Sequence, residues 1–196
     1  MLLHFQGGSV PVTFHHETNV VWMKQNDPTF GKVLDRKEVA EVLNIDASHI
    51  DNQYPIQEVS TGLPVILVPL KSLAAVKNVK INKEKYFQLI AQTEAKAIMV
   101  FISETYKEEN HLNVRDFAEY YGIPEDAATG SSNGCLAAYV TKHRYFGKEK
   151  INLHIEQGYE MNRPSLLHVR AEEKNHLIEI FVGGEVTSIA NGKWNV

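Results

Sequence analysis

Residues 122–140 read GIPEDAATGSSNGCLAAYV, and the parsing of this stretch governs everything around it. Two acids, Glu125 and Asp126, come first. Thr129, Gly130, Ser131, Ser132, Asn133 and Gly134 follow, and residues 135–146 are apolar and helical in character. Residues 122–134 therefore read as a glycine- and serine-rich loop that opens into a helix. Glycine lets backbone amides approach a ligand closely, and Ser and Thr suit a helix start. The free N–H groups and the dipole at that start favour an anion such as a carboxylate. An acid just before such a nest could transfer protons on a bound carboxylate. Taken alone, the same residues also describe an ordinary helix cap. A nucleotide P-loop fits poorly, because no Lys follows Gly134. The G-x-G-x-x-G dinucleotide fingerprint is absent. The run Thr129-Gly130-Ser131-Ser132-Asn133 lacks the second Gly of a G-x-S-x-G nucleophile elbow, which argues against Ser131 as a nucleophile.

Outward from the loop, extended segments dominate. Residues 113–118 precede it as a strand, and 97–103 (AIMVFIS) form a buried-type strand. Asn82 is the expected cap of a helix whose face carries Tyr86, Leu89, Ile90 and Thr93. Ser72 begins a short helical turn with Leu73 and Val76. Residues 56–60 and 65–70 read as strands around a turn at Gly62. Asp35 caps an earlier helix, with Glu38 in capping-box position and Val39, Val42 and Leu43 on one face. Strands are expected at 2–5, 9–16 and 19–24, with a turn at Asn26-Asp27-Pro28. Beyond the loop they are expected at 151–156, 165–172, 176–182 and 185–190, with turns at Gln157-Gly158 and Gly183-Gly184. Strands outnumber helices and hairpin-length connections prevail. The pattern implies an α+β fold with a mixed or largely antiparallel sheet, not a doubly wound one.

The 196 residues suffice for one compact domain or two small lobes. An apolar share of 43% and a charged share of 22% are ordinary for a folded soluble chain. Twenty Lys and Arg against 24 Asp and Glu give a net charge of -4, so no electrostatic case exists for nucleic acid or an anionic membrane. No run approaches the roughly 18 apolar residues of a membrane span. The single cysteine, Cys135, excludes an internal disulfide and a multi-cysteine metal site, and makes a cytoplasmic, reduced setting the expectation. The opening MLLHFQGGSV has neither the basic nor the long apolar segment of a secretory signal. Nine scattered histidines without an HExxH pair imply no metal. Cys135, Trp22, Tyr86, Phe87 and Phe101 read as core. His15-His16-Glu17 reads as the polar edge of a strand, and Glu125 as a solvated acid.

Residues 122–140 resemble the signature of the phenazine-biosynthesis (PhzF-like) family, which has the diaminopimelate-epimerase fold. That family shows a Pro-Glu-Asp-Pro-x-Thr-Gly-Ser segment leading into the central helix of its second lobe; here Ala127 stands in place of the second Pro. Thr61-Gly62-Leu63-Pro64 and the strand after it resemble the strand entry of that lobe. Residues 114–118 (VRDFA) resemble the strand before the signature. Gln157-Gly158, 161–165 (MNRPS) and 182–186 resemble the C-terminal hairpins. The resemblance implies a sheet wrapped around a central helix over residues 54–196, with residues 1–53 as the remnant of a second, pseudo-symmetric lobe.

The resemblance further implies an isomerase or epimerase-type protein that relocates a proton on a small carboxylated substrate without metal or cofactor. Asp126 would be the proton-handling carboxylate, with Thr129, Gly130, Ser131 and Ser132 binding substrate. Gly158, Arg163 and Pro164 would shape loops. The family's other lobe contributes a glutamate acid/base and a Gly-His-Ala-Thr loop, and this chain contains neither motif. The alternative is a truncated, non-catalytic member that serves as a binding or assembly subunit. Apolar surface uncovered on the strands at 9–16 and 19–24 implies a homodimer.

Overall fold

Three of the four α-helices among the described residues carry the local signals that start them. The computed structural model describes residues 1–5, 8–15, 17–187, 189–190 and 192. In α1 (Arg36–Leu43), the Asp35 carboxylate accepts from the amides of Lys37 and Glu38 at 2.8 and 3.1 Å. Ser72 caps α2 (Leu73–Asn78) through the Ala75 amide, and Asn82 caps α3 (Lys83–Ile90) through that of Lys85. The fourth, α4 (Gly130–Lys142), has no side-chain cap from Thr129 and is buried from Ser132 to Thr141.

The strands are β1 (Leu2–Phe5), β2 (Gly8–His15), β3 (Val20–Lys24), β4 (Thr29–Val33), β5 (Gln57–Ser60) and β6 (Pro64–Pro69). They continue as β7 (Ala97–Ile102), β8 (Leu112–Ala118), β9 (Ile123–Asp126), β10 (Lys150–Gln157), β11 (Ser165–Lys174) and β12 (Leu177–Glu185). Among the described residues they join in the order β1-β2-β3-β12-β11-β10-β8-β7-β6-β5-β4, with β9 added on β8. Pairs β6–β7 and β8–β10 are parallel and the other pairs antiparallel, so this is a large mixed sheet with few helices.

Both faces of the central strands are covered, which is why AIMVFIS shows no alternation. Ala97, Met99 and Phe101 of β7 face one core with α4, whereas Ile98, Val100 and Ile102 face a second core with α1, α2 and α3. The first core extends through alternate residues of β10, β11 and β12, against which α4 packs. The described residues of 1–53 are hydrogen-bonded into this sheet through β3 on β12 and β4 on β5, and again where Ile50 and Asp51 bond the end of β6.

Several local expectations change. Residues 122–134 are not one loop: β9 occupies Ile123–Asp126, and the helix starts at Gly130, before the apolar run. That helix ends at Lys142, where Arg144 enters the left-handed region at φ 53°. Gly183-Gly184 is not a turn but part of β12. A Cβ on Gly183 would lie 2.9 Å from two atoms of the Trp22 ring, so the glycine marks a close approach across the β12–β3 pair. The turn before β12 lies at Asn175 and His176, with φ of 51° and 65°, the conformation of a two-residue hairpin. No strand forms over the described residues of 186–190. Strand β4, unforeseen, is a short irregular edge with a register shift between Phe30 and Val33. Phe87 is 47% exposed rather than core, while Trp22, Tyr86, Phe101 and Cys135 are buried. His16 lies outside the described residues.

Candidate active site

The site forms where the ends of β9 and β10 meet the start of α4 beside β8. Strand β8 pairs with β7 along one edge. Along the other it pairs first with β10, through Leu112 to Val114, and then with β9, through Asp116 and Ala118. β9 ends at Asp126, and four residues later α4 begins. β10 ends at Gln157, beside the same point.

Gln157 is fully buried and ties these pieces together. Its Nε2 donates to the Asp126 carbonyl at 2.9 Å and to Thr129 Oγ1 at 3.0 Å. Its Oε1 accepts from the Thr129 amide at 3.1 Å and from Asn133 Nδ2 at 2.9 Å. The side chain thus fixes Thr129, the residue before α4, without occupying the amides of Gly130, Ser131 or Ser132. The amides of Gly130, Ser131 and Ser132 have no acceptor inside the helix, as at any helix start.

The half-buried Asp126 accepts a hydrogen bond of 2.5 Å from Thr129 Oγ1 at its Oδ2. Gly130 and Ser131 line a cavity of about 750 Å³ whose other walls include Val21, Met23, Gln25 and Val182. Ser132 turns inward, is buried, and bonds the Asp116 carboxyl. The five residues expected to form a site therefore cluster at one end of α4. Gly130 and Ser131 face the cavity, Asp126 and Thr129 bond each other beside it, and Ser132 lies beneath. A second cavity of about 760 Å³ lies between α1 and residues 47–56; the Asp35 carboxylate at its edge is engaged as a helix cap.

Three participants are absent from the sequence reading. Arg115 and Asp116 adjoin in the middle of β8 and point to opposite faces. Arg115 pairs in fork fashion with Glu125, at 2.9 Å from Nε and 2.8 Å from Nη2. Its Nη1 bonds the Val76 and Val79 carbonyls at the end of α2. Glu125 is therefore not a solvated acid but a clamped one, and it holds β9 against β8. Asp116 is fully buried on the α4 side. Burial pushes its carboxyl up to about 6, aided by the charges of Asp126 and Glu125 and opposed by hydrogen bonds from Ser132 and Thr129. Two adjacent charges inside a seven-residue strand are a signal in themselves, since both faces of such a strand cannot be solvated. Gln157 gave no comparable signal, because it reads equally well as a turn residue.

Gly158 follows Gln157 at φ 80°. A Cβ there would lie 2.4 Å from the Arg163 carbonyl oxygen and 2.9 Å from that of Ala127, so three chain segments converge on this glycine.

The sequence profile of the phenazine biosynthesis-like proteins, PhzC-PhzF, matches residues 1–192. The chain belongs to this family. It is 29% identical over 166 residues to the uncharacterized isomerase YfhB of Bacillus subtilis, covering 84% of this chain and 56% of that one. It is 27% identical to the trans-2,3-dihydro-3-hydroxyanthranilate isomerase of Pseudomonas aeruginosa, covering 98% of this chain and 66% of the other. The PhzF-family phenazine biosynthesis protein of Bacillus anthracis superposes with a TM-score of 0.83 at 24% identity, over 93% of this chain and 64% of that one, a likeness of fold. The chain thus spans less than two thirds of the length of these relatives. The mixed sheet with few helices is the fold of this PhzF family member, and no helix among the described residues is long and apolar enough to cross a membrane.

Proposed function

We propose that this PhzF-family chain is an isomerase or epimerase-type protein that moves a proton on a small carboxylated substrate, independently of metal or organic cofactor. The observation that carries this reading is the juxtaposition of Asp126 with the start of α4 beside the Ser131-lined cavity. The substrate carboxylate would sit at the amides of Gly130 and Ser131, with Thr129 and Ser132 as the other substrate-binding residues of this helix start. Asp126 would take a proton from carbon. The electron pair left behind would delocalise toward the carboxylate, where the helix amides stabilise the charge. Return of the proton to another carbon, or to the other face, completes an isomerisation with no net redox change. The Pseudomonas relative's name specifies a dihydro-hydroxyanthranilate, a small carboxylate of this kind.

In the same proposal, residues 54–196 are the lobe whose sheet wraps α4, and residues 1–53 are what is present of the pseudo-symmetric lobe. The setting is cytoplasmic. Phe14 and Met23, 48% and 37% exposed on β2 and β3, support a homodimer whose copies cover these strands.

A second reading is a chain that binds the carboxylate without turnover. It rests on the same helix start, whose Gly130 and Ser131 amides can hold a carboxylate without an acid/base partner. Incubation of chelator-dialysed protein with trans-2,3-dihydro-3-hydroxyanthranilate in deuterium oxide separates the two. Deuterium in recovered product, unaffected by the dialysis, supports the isomerase. Shifts of the Gly130–Ser132 amides without deuterium support the binding subunit, and neither effect sinks both for this substrate class.

A further inference from the structure

The strand that forms the far wall of the cavity leads into a polar side chain that the reading above leaves unused. Gln25 follows β3 directly, and its backbone amide donates to the Ile180 carbonyl of β12 at 2.9 Å, which fixes its place. Its side chain runs across α4 at Gly134. A Cβ on that glycine would lie 3.0 Å from Gln25 Oε1, 3.1 Å from Cγ and 3.3 Å from Cδ. The space that a side chain at 134 would fill is therefore taken by Gln25.

Gly134 comes four residues after Gly130 and three after Ser131, so all three lie on one face of α4. Neighbours at this spacing are about 5–6 Å apart. Gln25 lines the same cavity as Gly130 and Ser131. An acid whose carboxylate sits at the start of α4 thus has its carbon skeleton within reach of the Gln25 amide, one turn further along.

That amide has hydrogen-bonding capacity to spare. A glutamine offers two N–H donors and a carbonyl acceptor. Among the described residues the Gln25 side chain makes one hydrogen bond, a long one of 3.4 Å from Nε2 to the Met23 carbonyl. One N–H and Oε1 stay open. The side chains around it in the cavity include apolar Val21, Met23 and Val182. A substrate hydroxyl loses water on entering such a corner, and a buried hydroxyl without a partner is costly. Gln25 can both donate to it and accept from it. Ser165 in the same wall already gives its proton to the Arg163 carbonyl at 3.1 Å, and the Glu185 carboxylate lies exposed at the end of β12.

We propose that Gln25 is a specificity-determining residue: its side-chain amide reads a hydroxyl on the skeleton of the bound acid, and Gly134 makes the room for it. The site then prefers a hydroxylated carboxylic acid to its unsubstituted counterpart. The inference rests on the start of α4 as the carboxylate site.

Benzoate and 3-hydroxybenzoate, which differ only in the hydroxyl, test it when titrated into the full chain by calorimetry and NMR. In the native chain both acids shift the Gly130–Ser132 amides, the hydroxylated acid binds about tenfold more tightly, and it alone moves the side-chain NH2 signals of Gln25. In Gln25→Leu the affinity for benzoate is retained and the preference is lost. In Gly134→Ala, where the amide is intact but displaced, the preference is lost as well. A purely structural role for Gln25 would weaken both acids equally. Equal affinities of the native chain for the two acids, or a preference that survives Gln25→Leu, overturns the proposal. The native chain decides even where a variant fails to fold, since Gln25 signals that respond to both acids or to neither also overturn it. No shift at Gly130–Ser132 with either acid counts against the carboxylate site itself, and the inference falls with it.

Discussion

At the scale of single residues, the site is assembled by groups that share hydrogen bonds rather than by one dominant side chain. Gln157 uses every donor and acceptor of its amide end to join Asp126, Thr129 and Asn133. Asp116 has the clearest consequence for stability. Folding raises its affinity for a proton, from an ordinary value of 3.8 to about 6. Stability from this group is complete below the unfolded value, falls as pH rises through the folded one, and leaves the native state roughly 3 kcal/mol less stable at neutral pH. Asp116→Asn should therefore unfold at higher denaturant concentration than the native chain at about pH 8 and at nearly the same concentration at about pH 3.5. A variant that is less stable at both would contradict a carboxyl whose proton affinity is raised by burial. Gly158 is the other sensitive position. Its positive φ and the backbone oxygens around it leave no place for a methyl group. Gly158→Ala should cost about 3 kcal/mol in urea unfolding; a loss under about 1 kcal/mol would mean that the convergence of Ala127 and Arg163 is not enforced there.

At the scale of elements, the sequence was legible wherever a cap or an apolar period was local. Asp35, Ser72 and Asn82 start their helices because a short polar side chain can reach an amide two or three residues on. The cluster of Asp126, Thr129, Gly130, Ser131 and Ser132 was legible for the same reason, since it lies in one seven-residue span. What was hidden depends on partners distant in sequence. Strand β9 exists because β8 offers it a free edge beyond β10, and Thr129, just before α4, is held by Gln157 from another strand. Arg115 and Asp116 acquire their roles only once α2, β9 and α4 surround β8. Gly183-Gly184 shows the opposite failure: paired glycines signal a turn locally, yet the space Gly183 frees holds the Trp22 ring. Gly183→Ala should thus destabilise by about 1–3 kcal/mol through the clash with Trp22 and Val20. A neutral or stabilising effect would indicate that the β12–β3 pair can part without cost, and that β1 to β3 are only loosely joined to the rest.

At the scale of the whole molecule, α4 is the organising element. Its body fills the core between β5, β6 and β10 to β12, and its start presents Gly130 and Ser131 to the cavity beside Asp126. The cavity's far wall comes from β3, which carries exposed Met23. Sedimentation at micromolar concentration should therefore find a dimer, and a Phe14→Glu, Met23→Glu variant should sediment as a monomer; a native monomer would remove the proposed covering of β2 and β3. The central claim is that Asp126, at the start of α4, handles the proton. Its most direct measurement is solvent-deuterium incorporation into a bound carboxylic acid by the native chain and by Asp126→Asn, a change that keeps the shape and removes the titrating group. The account predicts incorporation by the native chain and a loss of at least about 100-fold in the variant, with the affinity for the acid and the cooperative unfolding retained. Undiminished incorporation by Asp126→Asn would contradict it.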